Sequence, residues 1–137
     1  MTARRFLLDT NIISRLAVDP HGELAARCLA AGDARLCTSI IVACELRFGA
    51  AKKGSPRLTS QIDALLSSLD VQPFDRDADA HYARVRLHLE RKGKLIGQND
   101  LLVASHALSL GAVLVTDNER EFRRVPELPV ENWVKRR

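Results

Sequence analysis

The stretch Gly111-Ala112-Val113-Leu114-Val115-Thr116-Asp117-Asn118 decides the fold. Ala112–Thr116 is a short apolar run, rich in β-branched residues and bounded by glycine and a polar trio, as a strand buried on both faces requires. Asp100–Leu110 before it reads as a helix stopped by Gly111, so a helix feeds directly into a buried strand. The alternation continues outward. Phe6–Asp9 is a short strand, Pro20–Ala31 a helix closed by Gly32, and Arg35–Thr38 a second strand. Ser39 N-caps a helix to about Lys53, ended by Gly54 and Pro56. Leu58–Leu69 has helical spacing, and Val71–Phe74 is a short strand. Asp77 caps a long helix to Lys92 with Gly93 as its stop, and Val130–Trp133 is a last edge strand. Alternation of this kind predicts an α/β fold, a parallel sheet with helices on both faces. Right-handed crossovers then bring all the strand carboxyl ends to one edge.

The 137 residues suit one domain, spanning 1–137. Cys28, Cys37 and Cys44 are odd in number, sit among Leu, Ala and Val, and form no C-x-x-C pair. They read as buried reduced thiols, which fits a cytoplasmic protein. No signal peptide or membrane-spanning run is predicted. The net charge is +4, from 21 basic and 17 acidic residues.

Four acids stand where half-buried ligands would sit: Asp9 and Asp117 end apolar runs, Asp100 opens one, and Glu45 interrupts one. Setting these aside leaves 17 − 4 = 13 acids against 21 bases, a surface of +8 around an acidic site. That arrangement suits a polyanion whose phosphate is cut. A lone Asp at a strand end or helix start serves equally as a turn or N-cap residue. Glu45 on a helix has Ile41, Val42, Phe48 and Gly49 as neighbours, so its charge faces a buried stripe unless an Arg such as Arg47 meets it. Were the four to converge, each pair at about 4 Å would repel by roughly 4 kcal/mol at an effective dielectric near 20. Such a set takes up protons or binds divalent cations, and all-oxygen ligands favour one or two Mg²⁺ or Mn²⁺ ions. Those ions polarise a phosphodiester and acidify a bound water, which attacks in line with the leaving oxygen. Thr10, Asn11, Ser39, Thr116 and Asn118 are placed to orient the ligands or bound waters.

Other constellations carry less. His21, His81, His88 and His106 make no zinc pattern. Arg84/Arg86/Arg91/Lys92/Lys94, Arg120/Arg123/Arg124 and Lys135/Arg136/Arg137 are clusters able to track phosphates. Aromatic residues are only 4%, too few to read a long single strand by stacking, which favours a folded RNA such as a tRNA.

Leu7-Leu8-Asp9-Thr10-Asn11, Ser39…Glu45-Leu46…Gly49, Gly97…Asp100-Leu101-Leu102-Val103-Ala104 and Val115-Thr116-Asp117-Asn118 resemble the motifs of PIN domains. Nearly the whole chain is similar to the VapC ribonuclease toxins of bacterial toxin–antitoxin operons. The resemblance implies a Rossmann-like α/β/α sandwich with a central parallel sheet. It also implies Mg²⁺ or Mn²⁺ bound by Asp9, Glu45, Asp100 and Asp117, endoribonuclease activity, and a homodimer. A VapB antitoxin is implied whose C-terminal tail occupies the site, in higher-order assemblies with operator DNA. The ending Glu121-Phe122-Arg123-Arg124-Val125…Leu128…Glu131-Asn132-Trp133 resembles the branch that cuts initiator tRNA. Asn99, where the family carries an apolar or aromatic residue, is a departure at the cleft floor. Two alternatives compete. One is a phosphohydrolase with Asp9 as covalent nucleophile, which needs a second Asp where this chain has Asn11. The other is an inactive RNA-binding or scaffold domain.

Overall fold

The computed structural model describes residues 4–134, so Lys135, Arg136 and Arg137 lie outside the described residues. Five short strands form one parallel sheet: β1 (Phe6–Leu8), β2 (Leu36–Ser39), β3 (Asp70–Gln72), β4 (Val113–Val115) and β5 (Val130–Glu131). The helices between them are α1 (Thr10–Val18), α2 (Glu23–Ala31), α3 (Ile40–Lys53), α4 (Pro56–Ser68), α5 (Ala78–Arg91), α6 (Gln98–Leu110) and the short α7 (Glu119–Phe122). The central strands β1 and β4 are buried along their whole length, as their unbroken apolar sequences require. Leu7, Leu8, Leu114 and Val115 form the middle of a core that also takes in Ile12 and Ile13 of α1 and Val103 of α6. The architecture is the expected α/β/α sandwich.

Strand order is β3-β2-β1-β4-β5. From β1 the chain steps outward through β2 to β3, then crosses back to place β4 on the other side of β1. The reversal lies between β1 and β4, where Phe6, Leu7 and Leu8 pair with Val113, Leu114 and Val115. In open parallel sheets ligands bind in the crevice outside the strand carboxyl ends at such a reversal. Asp9 and Thr116 immediately follow these two strands.

Several boundaries differ from the sequence-based expectation, each for a physical reason. Thr10–Val18 is a helix that expectation leaves unassigned, with Ile12, Ile13, Leu16 and Ala17 on its buried face. The following helix begins at Glu23, after the turn Pro20–Gly22, rather than at Pro20. The third strand is Asp70–Gln72 rather than Val71–Phe74: Asp70 pairs opposite Cys37, and Phe74 leaves the strand to meet the His106 ring edge-on, centroids 5.3 Å apart. The last strand stops at Glu131, and Trp133 turns inward onto Phe6 at 5.0 Å. Asp77 occupies the N-cap position of α5 at φ 76° without a side-chain capping bond. Cys28 and Cys37 are buried, but Cys44 is exposed. Among the described residues no helix is long and apolar enough to cross a membrane.

Phe122, on the single turn of α7, is fully buried. It anchors the segment that follows β4, so Phe122→Ala should lower stability by about 3–5 kcal/mol in urea unfolding. A loss below about 1 kcal/mol would mean that α7 does not depend on this anchor.

Candidate active site

The site grows from the ends of β1 and β4. Asp9 is 4% exposed, and its backbone N–H donates to the Val115 carbonyl at 2.9 Å, tying the end of β1 to β4. Its carboxylate N-caps α1, with Oδ1 accepting from the Thr10 N–H at 2.8 Å. The other oxygen, Oδ2, accepts from the Thr116 hydroxyl at 2.7 Å. Burial raises the Asp9 pKa; the Thr116 and Thr10 bonds oppose that, and the nearby Glu45 charge adds to it.

Thr10 links two acids. While its N–H serves Asp9, its hydroxyl donates to Glu45 Oε1 at 2.9 Å. Glu45 is half-buried on α3, and the Phe48 expected beside it in the core is 67% exposed, so its stripe is less enclosed than the sequence suggests. Arg47 pairs instead with Asp63 of α4, which leaves Glu45 to Thr10. Asp100 is the third residue of α6, whose N-cap is Gly97, so it does not cap the helix. The helix dipole favours its charge there, yet its pKa is raised from 3.8 to about 6. Burial is the largest cause, followed by the charges of Asp9, Glu121 and Glu45.

The structure therefore brings Asp9, Glu45 and Asp100 into one electrostatic cluster and adds Glu121, which sequence reasoning did not place there. Its signal is faint: Glu121 precedes the buried Phe122 and lies three residues after Asn118, whose side-chain amide approaches it at 3.5 Å. The Asp117 carboxylate, by contrast, is exposed and accepts from the Asn132 side-chain amide at 3.1 Å. It is not among the charges acting on Asp9 or Asp100.

Of the residues expected to support the acids, Thr10 and Thr116 bond to them directly. Asn11 staples the two strand ends, its amide approaching Thr116 Oγ1 at 3.4 Å and its Oδ1 accepting from the Asp117 N–H at 3.0 Å. The Asn118 N–H donates to Thr116 Oγ1 at 3.0 Å. Ser39 is engaged elsewhere: Oγ accepts from the Ile41 N–H at 3.0 Å as the N-cap of α3 and lies 2.7 Å from His106 Nδ1. His106 is almost fully buried; burial lowers its pKa against a contribution from the Pro73 backbone in the other direction.

An all-oxygen, net-negative and partly desolvated donor set fits a hard divalent cation. Among the described residues, no three Asp, Glu, His or Cys side chains stand close enough to enclose a single ion. The cluster is thus assembled but not closed, as expected of carboxylates that repel one another. Beside it, a cavity of about 240 Å³ runs from Thr10 and Glu45 past Leu46, Leu58 and Ile62 to Lys53.

Asp100 links the cluster to stability. Because its folded-state pKa is raised, the unfolded chain gives up this proton first as pH rises, and stability falls between about pH 4 and 6. The deficit is complete above about pH 6, and partial exposure screens its size. In chelator, Asp100→Asn should melt a few degrees above the wild type at pH 7.5, where about 1 kcal/mol corresponds to roughly 4 °C. At pH 4 the two should nearly coincide. Equal melting of both proteins at pH 7.5 would show that Asp100 carries no such cost.

The PIN domain model matches residues 6–128. Ribonuclease VapC2 of Rickettsia felis is 39% identical over 132 residues, covering 95% of this chain and 98% of that protein. The tRNA(fMet)-specific endonuclease VapC of Salmonella typhimurium is 35% identical over 130 residues, covering 94% and 98%. The solved structure of DNA-bound VapBC from Salmonella typhimurium superimposes with a TM-score of 0.89 at 35% identity, over 96% of this chain and 99% of that one. The fold, the acid cluster at the β1/β4 reversal and these relatives lead to one conclusion: the chain belongs to the PIN-domain family, among its VapC ribonucleases.

Proposed function

We propose that this chain is the toxin of a toxin–antitoxin pair. It hydrolyses phosphodiester bonds of a folded RNA with Mg²⁺ or Mn²⁺ held by Asp9, Glu45 and Asp100, and with Asp117 and Glu121 at the margin. The observation that carries this reading is the convergence of acids at the β1/β4 reversal, where Thr10 joins Asp9 to Glu45 and the charges of Asp9, Glu121 and Glu45 reach Asp100. That much uncompensated negative charge at a ligand-binding edge calls for a cation. When bound, the ion supplies positive charge to the phosphoryl group and lowers the pKa of an attacking water. The chain's own residues do the rest. Thr116 and the Thr10 amide hold both Asp9 oxygens in fixed directions, and the Thr10 hydroxyl does the same for Glu45. Asp100, near 6, is the carboxyl placed to hold a proton close to neutral pH when no cation competes for it. The covalent-phosphohydrolase alternative loses its second carboxylate to Asn11, whose side chain is committed to Thr116 and Asp117.

Initiator tRNA is the proposed substrate, cut in its anticodon region. The Salmonella relative is named for tRNA(fMet), and the ending Glu121–Trp133 of this chain resembles the branch that cuts initiator tRNA. A basic surface around an acidic cleft grips folded phosphate backbones. The proposed partner is a VapB-type antitoxin, as in the VapBC complexes that this fold matches. Its tail is expected to lay apolar residues along the cavity beside Glu45 and place an Arg among the acids, where a guanidinium fork replaces the metal charge. A homodimer, assembled further with antitoxin on operator DNA, completes the proposed assembly.

Asp9→Asn removes one charge with little change in volume, so it should abolish Mg²⁺-dependent cleavage and leave the fold intact. Full activity of that variant would refute the assignment. For the substrate, brief expression without antitoxin followed by mapping of RNA 5′ ends should give one dominant cut in the anticodon region of initiator tRNA. Cuts scattered through mRNA with tRNAs intact would refute the tRNA assignment alone.

A further inference from the structure

Ser39 and His106 form a buried polar pair outside the acid cluster: Ser39 is 0% and His106 1% exposed, with Oγ and Nδ1 2.7 Å apart. The pair joins the first residues of α3 to the middle of α6, two helices that pack against each other. Each helix carries one acid of the cluster at the same distance from the pair. Glu45 is 45 − 39 = 6 residues after Ser39, and Asp100 is 106 − 100 = 6 residues before His106. Six helical residues span about 9 Å. Ser39 thus meets His106 where the two helices pack, and the charge of Glu45, farther along α3, acts on Asp100 at the start of α6.

The imidazole is not there for apolar packing alone. The Pro73 backbone hydrogen-bonds the ring, and Nδ1 faces the Ser39 hydroxyl. A leucine would pack against Phe74 but make neither bond. What the imidazole adds is the link to the α3 cap. The like charges of Glu45 and Asp100 oppose the approach of the two helices that carry them.

We propose that the Ser39–His106 pair is a positioning device that locks α3 to α6 and holds Glu45 against Asp100 in spite of their repulsion. This rests on the acids being the cation site. His106 and Ser39 touch no reacting group; they act through the helices that carry the acids.

The test is Mn²⁺ binding to the purified full chain, by calorimetry or by the electron paramagnetic resonance signal of free Mn²⁺, beside melting in chelator. His106→Leu loses the bonds to Ser39 and to the Pro73 backbone and should melt below the wild type, and the folded variant should bind Mn²⁺ roughly 10-fold more weakly, the lower end of what outer ligand supports contribute. His106→Asn, which can still reach Ser39, should recover part of that loss. Ser39→Gly keeps most of the capping at a cost of a few tenths of a kcal/mol and should weaken Mn²⁺ binding as His106→Leu does, which covers the case in which the leucine variant does not fold. Folded variants with wild-type Mn²⁺ affinity would overturn the proposal, as would failure of both to fold, since the pair would then be structural only. A wild type that binds no Mn²⁺ would instead overturn the reading of the acids as a cation site, and the positioning role with it.

Discussion

The two hydrogen bonds that clamp the Asp9 carboxylate, from the Thr10 amide and the Thr116 hydroxyl, are the constraint on which the site depends. The Thr116 bond joins the ends of β1 and β4 at the one place where the sheet reverses its order. The same carboxylate starts α1, so the helix N-terminus, the strand junction and the charge at the cleft are a single structural event. Asn11 and Asn118 reinforce it from either side by bonding across the junction and back to Thr116. Losing Thr116 would free an Asp9 oxygen, remove the acceptor of the Asn118 amide and loosen the turn into α7 together. Neighbours that share partners in this way are not additive.

Around this clamp the carboxylates share one field that opposes their common ionisation. Asp100 registers the conflict most clearly, because the field of Asp9, Glu121 and Glu45 adds to its burial. A fold maintained for stability alone would neutralise or disperse these groups. Here α1, α3, α6 and α7 each bring one acidic residue, or its immediate support, toward the same edge. The cost is met by the packed sheet beneath, where Leu7, Leu8, Leu114 and Val115 are fully buried.

Much of this was legible in the sequence because it rests on strong local signals. Ala112–Thr116 and Phe6–Asp9 are apolar runs ending in polar trios, and the strands observed lie within them. The Ser39 cap, the Gly54 and Gly111 stops and the α6 span also follow from local chemistry, both glycines adopting positive φ. What escaped depends on long-range contacts. In α1 the pattern Ile12, Ile13, Leu16, Ala17 is helical, but the segment is short and its cap is the site residue itself. Phe74 and Trp133 have the composition of strand residues yet are drawn out of line by partners distant in sequence, His106 and Phe6. Within the site, Asp9, Glu45 and Asp100 were identifiable from acids interrupting apolar runs. Asp117 shares the same local signature, but its side chain turns to Asn132, a contact no local pattern encodes. Glu121 lies in an ordinary charged stretch and joins the cluster only because Phe122 draws α7 inward.

If these acids form one charge-strained cluster that a divalent cation neutralises, the side-chain carboxyl carbon resonances of Asp9 and Asp100 will report it when followed against pH with and without Mg²⁺. In chelator Asp100 should titrate near 6; with saturating Mg²⁺ its midpoint should drop below its ordinary 3.8, because a bound cation inverts the local preference for the proton. An Asp100 that titrates at its ordinary value in chelator and does not respond to Mg²⁺ would mean that the acids form no such cluster.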